Sequence, residues 1–167
     1  CFSDDIVVLD SHSTDRTVEV AEQHENVRVF KRPFDNEYNQ RTYGIHEIPY
    51  KHKWLYICDA DEWVTPELSH EINQAITSDA PHVAYLLGYA NHFMGKWLKH
   101  GGIESVRLMR LVRTDCVHYE KRATNIHLAA QGSVGELRNR FQHFSFRKGL
   151  SAWFTKHNEY AYCEAIE

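Results

Sequence analysis

The feature that most constrains this chain is a regular alternation of short apolar runs with helix-like segments in its first half. The apolar runs cover 6–9, 27–30 and 54–58. Each is short and continuous, a pattern typical of strands buried on both faces. Helical patterns follow them, from Ser13 or Thr14 to about His24, over 37–47, and from Pro66 to about Ser78. The order β-α-β-α-β-α predicts an α/β fold with a mainly parallel sheet and flanking helices.

The second half has a different pattern. Longer strands are expected over 83–93 and 106–113, and short ones near 125–130 and 141–146. Gly149 precedes a final amphipathic helix. We therefore expect one domain, made of a parallel α/β part followed by a smaller β region and a C-terminal helix.

Composition and charge exclude several classes of protein. The 167 residues are 43% hydrophobic and 25% charged, which is ordinary for a globular domain and excludes a disordered or collagen-like chain. No apolar run approaches the roughly 18 residues of a membrane span. Residues 1–95 carry 16 acidic and 7 basic side chains, whereas residues 96–148 carry 4 and 11. This division suggests two roles in one fold, and without a nucleic-acid-reading motif we expect no nucleic-acid partner.

Carboxylates follow two of the predicted strands. Asp10 ends the first, and Asp59 and Asp61 follow the third. In open α/β sheets ligands bind outside the carboxyl ends of the strands, and side chains two residues apart lie on one side of an extended segment. Such a pair of hard oxygen donors suits Mg²⁺ or Mn²⁺, which bridge to substrate phosphates. The alternative is a solvated acidic loop that caps the next helix.

Several segments together resemble family 2 glycosyltransferases. They are 6–17 (IVVLDSHSTDRT), 40–42 (QRT), 59–62 (DADE) and 64–68 (VTPEL). Four more resemble the branch that builds bacterial lipopolysaccharide core and related cell-surface glycans: 95–102 (GKWLKHGG), 107–111 (RLMRL), 132–137 (GSVGEL) and 156–160 (KHNEY). The similarity runs in order along nearly the whole chain.

The resemblance implies a Rossmann-like GT-A fold, a nucleotide-diphospho-sugar donor, a divalent metal and an inverting transfer to a glycan or lipid-linked acceptor. It places donor-binding residues at Asp10, Ser13, Asp15, Arg41 and Asp59, and metal ligands at Asp59 and Asp61. The implied halves are 1–95 for the donor and metal, and 96–167 for the acceptor.

The sequence departs from the family pattern in four places. One is Thr42, which replaces the asparagine of the family's QRN segment. The family's first strand would lie upstream of Cys1, so we expect a domain truncated at both ends. The position of the expected general base, a glutamate, is occupied by Ile126, which leaves His127 or Glu120 to accept the proton of the acceptor hydroxyl. His12 replaces a glycine, which matters if that position has a positive φ.

The basic second half fits a phosphorylated or lipid-linked acceptor at an anionic leaflet. We therefore expect a cytoplasmic protein that makes peripheral contact with the inner face of the membrane. Two alternatives stay open. One is a phosphohydrolase with Asp59 as its nucleophile, and the other is a non-catalytic paralogue that binds a sugar nucleotide or a glycan.

Overall fold

The computed structural model describes residues 2–100, 102, 104–122 and 126–166. The helices are α1 (Thr17–Ala21), α2 (Glu37–His46), α3 (Pro66–Thr77) and α4 (Gly149–Ala165). The strands of the first half are β1 (Ile6–Asp10), β2 (Val27–Lys31), β3 (Trp54–Tyr56), β4 (Glu62–Trp63), β5 (His82–Leu87) and β6 (Tyr89–Phe93). Those of the second half are β7 (Lys96–Trp97), β8 (Leu108–Arg113), β9 (Val117–Tyr119), β10 (Leu128–Ala130), β11 (Ser133–Glu136) and β12 (Phe141–His143).

The strands form two four-stranded sheets and two smaller pairs. The orders are β11-β5-β8-β3 and β4-β12-β6-β7, beside the pairs β1-β2 and β10-β9. The α/β class and the C-terminal helix are confirmed. Strand pairing, however, is mixed rather than mainly parallel. The pairs β1–β2, β5–β11 and β6–β12 are parallel, and the remaining pairs are antiparallel. The reason is β8, which returns from the second half and inserts antiparallel between β3 and β5.

Local capping explains why α2 and α3 begin where the sequence predicts. Asn36 accepts the backbone N–H of Asn39 at 2.8 Å at the start of α2. Thr65 accepts that of Leu68 at 3.2 Å, and Pro66 follows it at the first helical position, where a proline loses no hydrogen bond.

Several predicted elements differ from what the sequence indicates. The first helix follows Arg16, which makes no side-chain cap hydrogen bond, rather than a cap at Ser13 or Thr14. The strands expected over 54–58 and 141–146 cover only Trp54–Tyr56 and Phe141–His143. The first helix ends at Ala21 rather than near His24, because the next amides bond to carbonyls three residues back, a tighter turn. The strand expected over 83–93 is two strands that join different sheets, β5 and β6, and Gly88 separates them. A Cβ on Gly88 would lie 2.8 Å from Nη1 of Arg140, so a side chain at this break would require that guanidinium group to shift.

The core lies on both faces of the sheet that contains β5 and β8. Alternate residues of these strands point to opposite faces. Tyr85 and Leu111 belong to one cluster with Leu68 of α3, whereas Ala84 and Val112 belong to the other. That second cluster is completed by residues of α2 and β9, namely Ile45, Val117 and Tyr119. Packing on both faces fixes β3, and the acidic segment after it, between α2 and α3.

No helix in the described ranges is long and apolar enough to cross a membrane.

Candidate functional site

A large cleft lies between β1 and β3. It has a volume of about 1550 Å³ and is lined by residues of both strands, by α2 and by one face of α4. Asp59, Asp61 and Arg41 stand in its wall together with His143. The cleft therefore brings Arg41 of the QRT segment together with the acidic segment after β3.

Asp59 is held by two arginines. Nη2 of Arg110 donates to Oδ2 of Asp59 at 2.8 Å, and Nη2 of Arg41 lies 3.1 Å from Oδ1. Burial alone would raise the pKa of Asp59, but the charges of Arg110 and Arg41 outweigh it and hold the pKa below its ordinary value. Asp59 is therefore ionised at neutral pH, with each carboxylate oxygen facing a guanidinium.

Glu62 completes this ion-pair network beneath the cleft. Its side chain is 2% exposed and accepts a hydrogen bond from Nη2 of Arg110, and it also accepts the backbone N–H of Asp59 at 3.0 Å. Burial raises the pKa of Glu62, and the Arg110 guanidinium opposes that shift. Glu62 and Arg110 thus fix the turn that presents the two aspartates.

The sequence alone does not single out Arg110 as a residue of the site, because Arg110 is one cation in a basic run. A signal was present, since an arginine between Met109 and Leu111 in an apolar strand needs a buried partner. The structure provides that partner across the β3–β8 pair, where Tyr56 and Leu111 are in register.

Asp61 faces the open cleft. Its side chain is 42% exposed, and Nε2 of His143 lies 3.6 Å from its Oδ2. The contact with His143 is the main reason why the pKa of Asp61 lies below its ordinary value. His143 is on β12, opposite Glu62 of β4, and the backbone N–H of Phe144 donates to the carbonyl of Asp61 at 2.8 Å. Sequence spacing gives no sign of His143, because the pairing of β4 with β12 brings it here.

The residues present fit a divalent metal only in part. Within the described ranges no group of three or more His, Cys, Asp and Glu side chains is arranged to hold an ion. Asp61 and His143 offer one carboxylate and one imidazole. Mg²⁺ usually keeps several waters and shares one or two carboxylates with substrate phosphates, and Mn²⁺ accepts imidazole as well. The pair fits an ion whose remaining ligands come from substrate and water.

The loop after β1 is ordered by its own side chains. Asp10 is 4% exposed, and its carboxylate accepts the backbone N–H of Ser13 at 3.0 Å. His12 has a φ of 60°, so the position where the family has glycine is in the left-handed region. Asp15 accepts the N–H of Thr17 at 2.9 Å at the start of α1. Asp10, Ser13 and Asp15 therefore shape the loop and are not among the residues that line the cleft.

The same loop reaches the cleft through Ser11. Its Oγ accepts a hydrogen bond of 3.0 Å from Nε2 of Gln40 on α2. Arg41, the next residue, pairs with Glu37 at 2.9 Å as well as with Asp59. Burial would lower the pKa of Arg41, but Asp59 and its other neighbours raise it overall, so the guanidinium stays charged.

The two candidate bases lie together, outside the cleft lining. The backbone N–H of Glu120 donates to the carbonyl of His127 at 2.8 Å, just beyond the β9–β10 pair. The carboxylate of Glu120 is exposed and pairs with Arg122 at 2.8 Å. Ile126 packs against the core cluster on the α2 face. Residues 123–125 of this segment lie outside the described residues.

An α/β fold with ionised carboxylates and arginines at the carboxyl ends of its strands is typical of domains that bind a charged ligand there. The sequence model of Glycosyl transferase family 2 matches residues 3–148. The chain belongs to this family of glycosyltransferases.

A curated protein of similar sequence is also named as a glycosyltransferase. It is named "Uncharacterized glycosyltransferase", comes from Rickettsia bellii (strain RML369-C), and is 34% identical over 77 residues. The match covers 46% of the chain and 25% of the relative, so it spans about a quarter of that protein's length. The predictions of a family 2 glycosyltransferase and of an enzyme are confirmed.

Proposed function

We propose that the domain transfers a sugar from a nucleotide-diphospho-sugar to a glycan or lipid-linked acceptor of the cell surface, with inversion and with the help of Mg²⁺ or Mn²⁺. The observation that carries the proposal is that the two aspartates after β3 have different surroundings. Asp59 is held by Arg41 and Arg110, whereas Asp61 faces the cleft beside His143. The branch that builds lipopolysaccharide core is the one favoured by the motifs over 95–102 and 107–111.

In this mechanism Asp61 and His143 would hold the cation. A bound cation would supply positive charge where negative charge develops on the departing nucleoside diphosphate. Arg41 lies within reach of the same ligand and contributes a permanent positive charge to the cleft. Asp59 is assigned to the ribose or to a metal-bound water, and the loop of Asp10, Ser13 and Asp15 to the nucleotide.

Either His127 or Glu120 accepts the proton of the attacking hydroxyl. Support comes from their position just beyond Tyr119, whose side chain lines the cleft. The test compares His127→Ala and Glu120→Gln with the parent chain in a transfer assay. Loss of a general base lowers kcat by about a hundredfold or more, and a variant with unchanged kcat excludes its residue.

We also propose that, in a longer protein, an extended segment preceding Cys1 lies between β1 and β3. Both strands line the cleft, and in the described part β1 pairs with β2 and β3 with β8. A volume of about 1550 Å³ exceeds the roughly 300–1,000 Å³ of most ligand pockets. In a chain extended upstream, the amides of Val7 and Leu55 are expected to exchange with solvent more slowly than in this one. Equal exchange contradicts the added strand.

The test of the proposed reaction measures release of nucleoside diphosphate from a set of sugar nucleotides, with Mn²⁺ and with a chelator. Asp61→Asn and His143→Gln are expected to remove the metal-dependent rate. Asp115→Asn is the matched control, because Asp115 is an exposed aspartate paired with Arg113, away from the cleft lining. A rate that is unchanged by the chelator, or is lost equally in Asp115→Asn, contradicts the proposal.

A second candidate is a non-catalytic domain that binds a sugar nucleotide or glycan. The placement of His127 and Glu120 outside the cleft lining favours it. It predicts donor binding without release of nucleoside diphosphate. We do not propose a phosphohydrolase. Asp59 would be its nucleophile, and both carboxylate oxygens of Asp59 already face arginines.

A further inference from the structure

A tight hairpin projects from the sheet that contains β6. Phe93 of β6 pairs with Lys96 of β7, and only Met94 and Gly95 connect the strands. Their φ angles are 48° and 76°, both in the left-handed region. A two-residue turn of this kind favours Asn-Gly, because asparagine tolerates a positive φ far better than other side chains.

The methionine at this turn has no structural explanation in the chain itself. Met94 is 85% exposed, so it contributes little to the core. It also occupies a backbone conformation that disfavours it. A side chain that is both exposed and conformationally disfavoured suggests a role outside the fold.

The hairpin displays further apolar surface. Trp97 is 42% exposed and Leu98 is 37% exposed. Nζ of Lys99 lies 5.1 Å from the centre of the Trp97 ring. The tip therefore combines a protruding thioether, an indole and a leucine with flexible cations.

The start of α4 extends this surface. The rings of Phe93 and Phe146 are 4.9 Å apart and those of Phe146 and Trp153 are 5.4 Å apart, so the turn before α4 packs beside the hairpin. Leu150 and Phe154 in the first turns of α4 are 47% and 57% exposed.

All the formal charges of this surface are positive. Lys96 and Lys99 are in the hairpin, and Arg147 and Lys148 are in the turn before α4; all four are exposed. No aspartate or glutamate occurs over 91–100 or 144–151. Among the ion pairs of the described residues, none involves these four cations.

We propose that this hairpin patch docks on an anionic membrane surface. The patch consists of Met94, Trp97, Leu98, Leu150 and Phe154 with the four cations. Tryptophan and protruding apolar side chains are stable at the level of lipid headgroups, and long lysine side chains keep their charges in the aqueous layer. Each lysine or arginine adds attraction to an anionic leaflet. Charge of one sign at a projecting turn suits a fluid anionic surface better than a protein with fixed carboxylates.

The test is co-sedimentation of the chain with vesicles of phosphatidylcholine alone and of phosphatidylcholine with an equal amount of phosphatidylglycerol. Binding is expected to the second only, and to weaken as salt is added. Replacing Lys96 and Lys99 together by glutamine is expected to lower the partition coefficient about 30-fold. Met94→Asn is expected to lower it about tenfold by removing inserted apolar surface.

The methionine variant separates docking from folding. Asparagine suits the turn better than methionine, so Met94→Asn is expected to unfold at a urea concentration no lower than that of the parent chain. Val20→Asn is the matched control, because Val20 is 47% exposed on α1, outside the patch. Equal binding to neutral vesicles, no binding to anionic ones, or an equal loss in Val20→Asn overturns the proposal. Burial of the patch in a dimer, detected by sedimentation of the chain without lipid, also overturns it.

Discussion

Replacing Arg110 by methionine tests the role assigned to the network beneath the cleft. Nη2 of Arg110 contacts both Glu62 and Asp59, and the Arg110 and Glu62 side chains are 10% and 2% exposed. The variant leaves Glu62 charged and unpaired in the interior. Removing one partner of a buried ion pair costs about 3–5 kcal/mol. Asp59 is 35% exposed and keeps Arg41, so most of the loss comes from Glu62.

The same variant has a predictable pH dependence. Burial already raises the pKa of Glu62, and the Arg110 guanidinium opposes that shift. Removing the guanidinium therefore raises the pKa of Glu62 further. When a carboxyl has a higher pKa in the folded than in the unfolded state, the free energy of unfolding of the protein falls as the pH rises through the folded-state pKa. Arg110→Met is therefore expected to lose most stability at neutral pH and to regain part of it as the pH falls toward the ordinary glutamate pKa of about 4.3.

The assay is urea unfolding followed by tryptophan fluorescence at two pH values. The set is the parent chain, Arg110→Met, Glu62→Gln and the double variant. Since the neutral glutamine removes the unpaired charge, the arginine replacement is expected to cost much less in the Glu62→Gln background. A cost of less than about 1 kcal/mol at neutral pH, or an equal cost in both backgrounds, would show that Arg110 does not stabilise the fold by neutralising Glu62.

Three further predictions concern stability, each measured by urea unfolding. Glu71→Ala is expected to cost about 2 kcal/mol, because its carboxylate accepts the backbone N–H groups of Arg138 and Asn139, each at 2.8 Å; a change within about 0.5 kcal/mol contradicts this. Phe141→Ala is expected to cost about 3–5 kcal/mol, since this ring is 0% exposed in the α3 cluster; a loss below about 1 kcal/mol would mean that the core lies elsewhere. His12→Gly is expected to leave stability equal or about 1 kcal/mol higher, because φ is 60° there; a clear loss would show that the imidazole has a partner.

The elements that sequence predicts best are those with local signals. The apolar runs of β1 and β2 and the caps of α2 and α3 depend on residues within a few positions of each other. The aspartates after β3 are likewise placed at a strand end, because a continuous apolar run precedes them.

Long-range pairing accounts for what the sequence did not reveal. Arg110 reaches Asp59 because β8 lies beside β3, and His143 reaches Asp61 because β12 lies beside β4. The residue pattern within each segment does not predict which strand will pair with it. The antiparallel insertion of β8 is also what makes the sheet mixed.

The proposed metal-dependent binding of a sugar-nucleotide donor is tested most directly by calorimetric titration of the chain with nucleoside diphosphates. UDP, GDP, ADP and CDP are titrated in turn, with Mn²⁺ and with a chelator. At least one is expected to bind in a Mn²⁺-dependent manner, and Asp61→Asn is expected to remove the metal dependence. If none binds with Mn²⁺ present, or if binding is the same with the chelator and in Asp61→Asn, the proposed donor and metal site is wrong.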